Sequence, residues 1–241
     1  MLHDGQGALV VDPGEAQPVL QALQTEGVQL QAILVTHHHT DHTGGVDILR
    51  KATGATVYGP RTEAIPAPLV RLSGGDVVLN VGLAFEVIDV PGHTTGHIAF
   101  YCESVDAHPL LFCGDTLFSA GCGRLFEGTP AQMLSSLSQL ASLPADTRVC
   151  CTHEYTLSNL KFAREVEPDN QEIITYEHHC RQLRAAQKPT LPSTIAQERA
   201  INPFLRSAQP AVVASAKRHD ALAVEREGVF ATLREWKNHY R

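Results

Sequence analysis

The sequence contains no run of about 18 apolar residues, so nothing in it reads as a membrane-spanning helix. Its start carries neither a basic stretch nor an apolar leader, and we expect a soluble, unexported, cytoplasmic protein. Cations are in deficit. The 19 Lys and Arg against 26 Asp and Glu give a formal charge of -7, which excludes field-driven attraction to nucleic acid or to anionic membranes. An anionic substrate would need Arg or Lys at chosen points. The six cysteines show no C-x-x-C spacing, which argues against a closed thiolate zinc site, and they are expected to be buried free thiols. No G-x-S-x-G elbow is present, which weighs against a serine hydrolase.

With 241 residues the chain has room for one large domain and a smaller appendage. Its first two-thirds alternate short apolar runs with helical patterns, giving a mixed α/β class. Residues 8–11, 32–35, 83–90, 97–102, 110–113 and 148–151 read as strands, bounded by Gly, Pro or Asp. Residues 15–26 and 46–53 read as helices closed by Gly27 and Gly54, and Thr129-Pro130 caps a helix carrying the apolar stripe Met133, Leu134, Leu137, Leu140. Beyond Tyr155 strand signals almost vanish, while 158–167, 171–186, 210–218 and 225–238 look helical. We therefore expect a domain boundary there, between residues 1–155 and an all-helical 156–241.

What is abundant is histidine: thirteen, several of them clustered. The segment Thr36-His37-His38-His39-Thr40-Asp41-His42-Thr43-Gly44-Gly45 follows directly on a strand, and in such a turn His37 and His39 can face one side while Asp41 and His42 reach a second point. His93, Asp115 and His153 each stand just past a further expected strand. Strand ends converging at one sheet edge would assemble an open cleft with imidazole and carboxylate donors, a set suited to zinc and neighbouring divalent metals. His38 is expected to point away. His97, His108, His178, His179, His219 and His239 lack the strand-end context and read as ordinary core or surface residues.

The seven positions His37, His39, Asp41, His42, His93, Asp115 and His153 resemble the pattern of the metallo-β-lactamase superfamily. Pro91-Gly92-His93-Thr94-Thr95-Gly96-His97, Phe112-Cys113-Gly114-Asp115-Thr116-Leu117-Phe118, Gly121-Cys122-Gly123-Arg124, Thr152-His153-Glu154-Tyr155-Thr156 and Asn202-Pro203-Phe204-Leu205-Arg206 are similar to the glyoxalase II (hydroxyacylglutathione hydrolase) family. The resemblance implies an αβ/βα sandwich (residues 1–155) followed by a small helical substrate-binding domain (156–241). It implies one divalent ion on His37, His39 and His93, another on Asp41, His42 and His153, and Asp115 as a bridge. Zinc is the first choice, with iron or manganese also compatible. The implied reaction is hydrolysis of S-D-lactoylglutathione to D-lactate and glutathione in methylglyoxal detoxification, by a monomer. A water shared by two cations would be the nucleophile, with Asp115 and Asp41 as catalytic carboxylates and no acyl-enzyme. A lactonase, a persulfide dioxygenase relative and an inert glutathione-binding module are the alternatives.

The family's glutathione site implies roles for Arg124, Tyr155 and Arg206. Three departures stand out. Phe126 replaces a frequent tyrosine, so a hydroxyl donor is missing while stacking remains. Ser207-Ala208-Gln209 replaces a second cation after Arg206. An opening strand with an Asp-Asn-Tyr motif is not found; either the start is truncated or the sheet edge is covered differently, and a cost in stability is expected.

Overall fold

The computed structural model describes residues 1–240. In chain order its strands are β1 (Leu2–His3), β2 (Gly7–Val11), β3 (Gln29–Leu34), β4 (Thr56–Pro60), β5 (Val70–Leu72), β6 (Val77–Asn80), β7 (Leu83–Asp89), β8 (Ile98–Val105), β9 (His108–Gly114), β10 (Leu117–Phe118), β11 (Gly121–Cys122), β12 (Arg148–Cys151) and β13 (Ser193–Thr194). The helices are α1 (Ala16–Glu26), α2 (Thr40–Thr43), α3 (Val46–Thr53), α4 (Pro130–Ala141), α5 (Thr156–Val166), α6 (Gln171–Ala185), α7 (Ile195–Ile201), α8 (Pro210–Glu227) and α9 (Val229–His239).

The expected caps form. Thr129 and Gln132 make a reciprocal capping box with Pro130 in the first turn of α4, and α1 and α3 end on left-handed Gly27 and Gly54. The expected helices at 210–218 and 225–238 differ in extent: α8 runs on to Glu227, bending at Asp220 (φ -154, ψ 95), and α9 follows at Val229.

Two sheets face each other. The first has the order β1-β2-β3-β4-β5, parallel from β2 to β5; the second has the order β13-β12-β9-β8-β7-β6, and a separate hairpin pairs β10 with β11. Side chains alternate across the first sheet as the strand period demands. Leu9, Ala32 and Leu34 point inwards to meet Phe85, Val87, Ile98 and Phe100 of the second sheet, whereas Val10, Ile33 and Val35 point outwards to Leu23, Val46 and Leu49 of α1 and α3. The outer face of the second sheet (Ala99, Leu111, Val149) is covered by Met133 and Leu137 of α4, Phe162 of α5, Val212 of α8 and Phe230 and Leu233 of α9. The result is helix, sheet, sheet, helix: the αβ/βα sandwich. Burying these layers is the principal favourable contribution, on the order of 1.5–3 kcal/mol for each large apolar side chain.

The edge strand of the first sheet is the two-residue β1, which pairs antiparallel with β2 through Leu2↔Leu9 and His3↔Ala8. All six cysteines are free, four of them buried. Among the described residues no helix is long and apolar enough to cross a membrane.

The site lies at one edge of the sandwich because of strand direction. β9 and β12 are parallel, and β7 and β9 are each antiparallel to β8, so the C-terminal ends of β7, β9 and β12 share an edge with the start of β8. The end of β3 arrives there too, since Ile98 N–H donates to Thr36 O at 3.0 Å.

Candidate metal centre

All seven residues of the histidine and aspartate pattern meet at that edge. His37, His39 and His93 form one group of donors, Asp41, His42 and His153 another, and His37, His42 and Asp115 a third between them, with the donor atoms of each group within 4.8 Å of one another. His39 Nδ1 lies 3.0 Å from His37 Nε2 and 3.1 Å from His93 Nε2. His153 Nε2 is 3.3 Å from Asp41 Oδ2, and Asp115 turns Oδ2 to His93 (3.5 Å) and Oδ1 to His42 (3.4 Å) and His153 (3.6 Å). One carboxylate thus offers an oxygen to each trio.

Neighbouring groups aim the rings. Asp12, just past β2, accepts from Thr36 N–H and Thr36 Oγ1, each at 2.7 Å, and from His42 Nδ1 at 3.0 Å. With its hydroxyl proton given to Asp12, Thr36 Oγ1 accepts from His37 Nδ1 at 3.1 Å, and the Arg124 carbonyl accepts from His93 Nδ1 at 2.8 Å. In all three rings Nδ1 carries the proton and Nε2 presents its lone pair to the centre, the arrangement that favours ligation. His97, set aside on sequence grounds, is buried here. It stacks on His37 (4.6 Å, 19°), and its Nε2 accepts from Asp115 N–H at 3.1 Å. Its signal was available, because an antiparallel strand places its start at the edge where its neighbours end. Gly114 makes this contact possible, since a Cβ there would fall 2.4 Å from Thr36 Oγ1 and 2.7 Å from His97 Cε1.

Electrostatics fit a cation. Burial and the crowding of His97, His42, His93 and His39 push His37 far below the ordinary imidazole value, and burial lowers His93 and His97 as well. His42 is the exception. Burial alone would lower it, but its bond to Asp12 and the charges of Asp12, Asp115 and Asp41 raise it. Neutral imidazoles are what a metal requires. His42 Nε2 and Asp115 Oδ1 are buried with no hydrogen-bond partner among the described residues, a state that is costly unless a cation satisfies both.

Beside the centre opens a cavity of about 850 Å³ whose lining includes His39, Asp41, His93, Asp115 and His153. Arg124, Phe126 and Tyr155 line it as well. Phe126, 62% exposed, sets its ring edge against His39 and His93, and Tyr155 stacks on His153 (5.1 Å, 21°). Arg206 is not brought there. It pairs bidentately with buried Glu167 (2.8 and 2.9 Å) and lines a different cavity. The cations that α9 delivers instead are Arg234 and Lys237, which the sequence reading passed over. Arg234 donates to Cys122 O at 2.8 Å; burial and the charges of Arg234, Arg124 and Lys161 pull Lys237 below its ordinary value. Arg124, Arg234 and Lys237 all line this cavity, which suits it to an anion.

Two family models match successive parts of the chain. Residues 1–153 match the family described as "Metallo-beta-lactamase superfamily", and residues 154–240 match "Hydroxyacylglutathione hydrolase C-terminus". A hydroxyacylglutathione hydrolase of Albidiferax ferrireducens is 62% identical, the alignment covering 100% of this chain and 94% of the relative. One from Pseudomonas fluorescens is 55% identical, with coverage of 98% and 91%. Among solved structures, ETHE1 from Myxococcus xanthus superposes with a TM-score of 0.63 at 25% identity, covering 96% of this chain and 88% of that one. TTHA1623 in a di-iron-bound form gives 0.57 at 30% identity, covering 81% and 87%.

Proposed function

The chain belongs to the hydroxyacylglutathione hydrolase family of the metallo-β-lactamase superfamily, and from that premise we propose that it hydrolyses S-D-lactoylglutathione to D-lactate and glutathione in the cytoplasm, as a monomer. One observation carries the reading: two buried ligand atoms without a hydrogen bond, His42 Nε2 and Asp115 Oδ1, 3.4 Å apart, lie between two trios beside a cation-cornered cavity.

In this reading His37, His39 and His93 hold one divalent ion and Asp41, His42 and His153 a second, with Asp115 shared. Zinc is the first choice; iron and manganese suit the same donors, and the relative solved in a di-iron-bound form supports iron. When bound, such a pair supplies Lewis acidity and brings the pKa of water towards neutrality. Asp115 and Asp41 orient the attacking water, whose proton leaves to solvent through the open cavity. Attack on the thioester carbonyl gives a tetrahedral oxyanion, and breaking the C–S bond releases glutathione thiolate, a good leaving group that needs no acyl-enzyme.

Residues 156–241, which we assign as the substrate-binding part against a catalytic 1–155, contribute Arg234 and Lys237. With Arg124 these grip the glutathione carboxylates, guanidinium being well matched to carboxylate. Tyr155 and Phe126 flank the path to the centre. Phe126 offers ring surface and no hydroxyl, so polar contact with the peptide backbone falls to other groups.

The test combines a metal count with thioester turnover. Two ions per chain and rapid loss of S-D-lactoylglutathione are expected, and Asp41→Ala or His153→Ala should lower kcat at least about a thousandfold. A fully metallated but inert wild-type chain would overturn the assignment.

A further inference from the structure

A buried carboxylate sits between the two histidine-bearing segments without a task in the reaction above. Glu63 follows β4, and its side chain is 2% exposed. Oε2 accepts from His38 N–H at 2.6 Å and faces His38 Nδ1 at 3.0 Å. Oε1 accepts from Gly96 N–H at 3.0 Å and from the Thr94 hydroxyl. Donors from two segments converge on one carboxylate: those of His38 come from between His37 and His39, and those of Thr94 and Gly96 from just past His93. Gly96 is what admits Glu63, because a Cβ there would fall 2.6 Å from Glu63 Cγ and 2.3 Å from Thr62 Oγ1. Outside, Glu127 extends the tie, accepting from Thr95 N–H at 2.9 Å and facing His38 Nε2 at 3.3 Å.

His38, Glu63 and Glu127 also lie close enough together to suggest a cation site of their own. The hydrogen bonds argue otherwise. Each oxygen of Glu63 is already turned to two protein groups, one of them a backbone N–H fixed by the chain, and such charge-assisted bonds are the strong ones. We propose that Glu63 is a positioning residue for the His37, His39 and His93 trio, a buried clamp that fixes the separation of two segments that must converge on one cation. The inference rests on the two-ion reading above. The Asp41, His42 and His153 trio has separate support, through the bond of Asp12 to His42.

Glu63→Gln separates the possibilities, because an amide has one accepting end and one donating end. Whichever way it turns, the N–H of His38 or of Gly96 meets an NH2 group, and one segment is released. Stepwise zinc affinities would be measured by competition with a chromophoric chelator on the full chain. Wild type should bind two ions. Glu63→Gln should keep one at wild-type affinity and bind the other about 10–100-fold more weakly, the range for groups that support ligands. Thr94→Val, which removes one hydroxyl donor and no backbone contact, should shift the same ion by less and keeps the test open if Glu63→Gln does not fold. In a His93→Ala background, where that trio is already broken, Glu63→Gln should change nothing. Unchanged affinities, or equal weakening of both ions with a lowered Tm, would overturn the clamp while leaving the two-ion reading intact. So would a wild-type stoichiometry of three that falls to two in Glu63→Gln. A wild type that binds a single ion would instead sink the two-ion reading, and the clamp with it.

Discussion

Asp12 supports more than one ligand from a single carboxylate: one oxygen fixes the Thr36 backbone while the other takes the Thr36 hydroxyl and His42 Nδ1. Asp12→Ala should therefore weaken metal binding about 10–100-fold, checked by metal content after dialysis against a weak chelator; full retention would show that the rings need no such support. Arg206 and Lys237 make a contrasting pair. Since Arg206 neutralises buried Glu167 outside the cavity beside the candidate metal centre, Arg206→Ala should lower stability by about 2 kcal/mol, below the roughly 3–5 kcal/mol of a fully buried pair, and leave KM unchanged. Lys237→Ala should raise KM about tenfold with kcat largely retained. A KM effect at Arg206 and none at Lys237 would reverse the assignment. The seven candidate ligands were legible because each stands just past an apolar strand or in one dense run. Asp12 meets the same criterion after β2, yet Asp-Pro-Gly also reads as an ordinary turn. Glu63 has partners 25 to 33 positions away, which no local pattern reveals.

At the level of elements, the hairpin β10–β11 connects Asp115 to Arg124, and side chains of α5, α7 and the residue that follows α7 hold its backbone. Asn202 donates to Phe118 O and Gly121 O, Asn159 to Ser119 O, while Glu198 accepts from Ala120 N–H at 2.8 Å and from Asn202 at 3.1 Å. This gives the Asn-Pro-Phe segment a physical role: it holds the turn that presents Arg124. Burial raises the Glu198 carboxyl above its ordinary 4.5, so from that pH upwards the folded state binds more protons than the unfolded state, and stability falls as pH rises through the window. Glu198→Gln keeps an acceptor for Ala120 N–H and cannot ionise. Its Tm relative to wild type should climb as pH rises above the ordinary carboxyl range, and a flat difference would refute the linkage. Glu198→Ala leaves those donors unpaired, at about 1–3 kcal/mol for each buried group, and should raise KM through displacement of Arg124. The long strands and capped helices were readable from periodicity. β1, β5 and β13 have two or three residues each and form against a strand already in place, while the two-residue β10 and β11 pair only with each other, so no period of their own announces them.

Across the whole molecule, site and stability are one problem. His37, His39, Asp41 and His42 follow the first sheet, whereas His93, Asp115 and His153 follow strands of the second, so any ion bound by both sets fastens the two layers at their open edge. Without a cation the same edge crowds His37, His93 and His97, which burial holds below the ordinary imidazole value, around a buried carboxylate that has no hydrogen bond to one of its oxygens. The outer core adds a second dependence, because Leu111 and Val149 pack with Phe162, Phe204 and Phe230, and the helical region therefore shares its hydrophobic interior with the second sheet. Loss of metal should accordingly be felt as one cooperative weakening and not as local fraying at the site. For a ligand held at about a thousand times its Kd, linkage gives about 4 kcal/mol, which for a chain of this size corresponds to roughly 10 °C in Tm. Removing metal with a chelator should lower a single melting transition by about that amount, followed by near-ultraviolet circular dichroism and calorimetry, and added zinc should restore it in proportion to the logarithm of its free concentration. A melting curve indifferent to chelation would mean that the seven side chains close the edge unaided. A second, metal-independent transition would mean that the helical region has a core of its own, against the packing of Phe162, Phe204 and Phe230 on Leu111 and Val149.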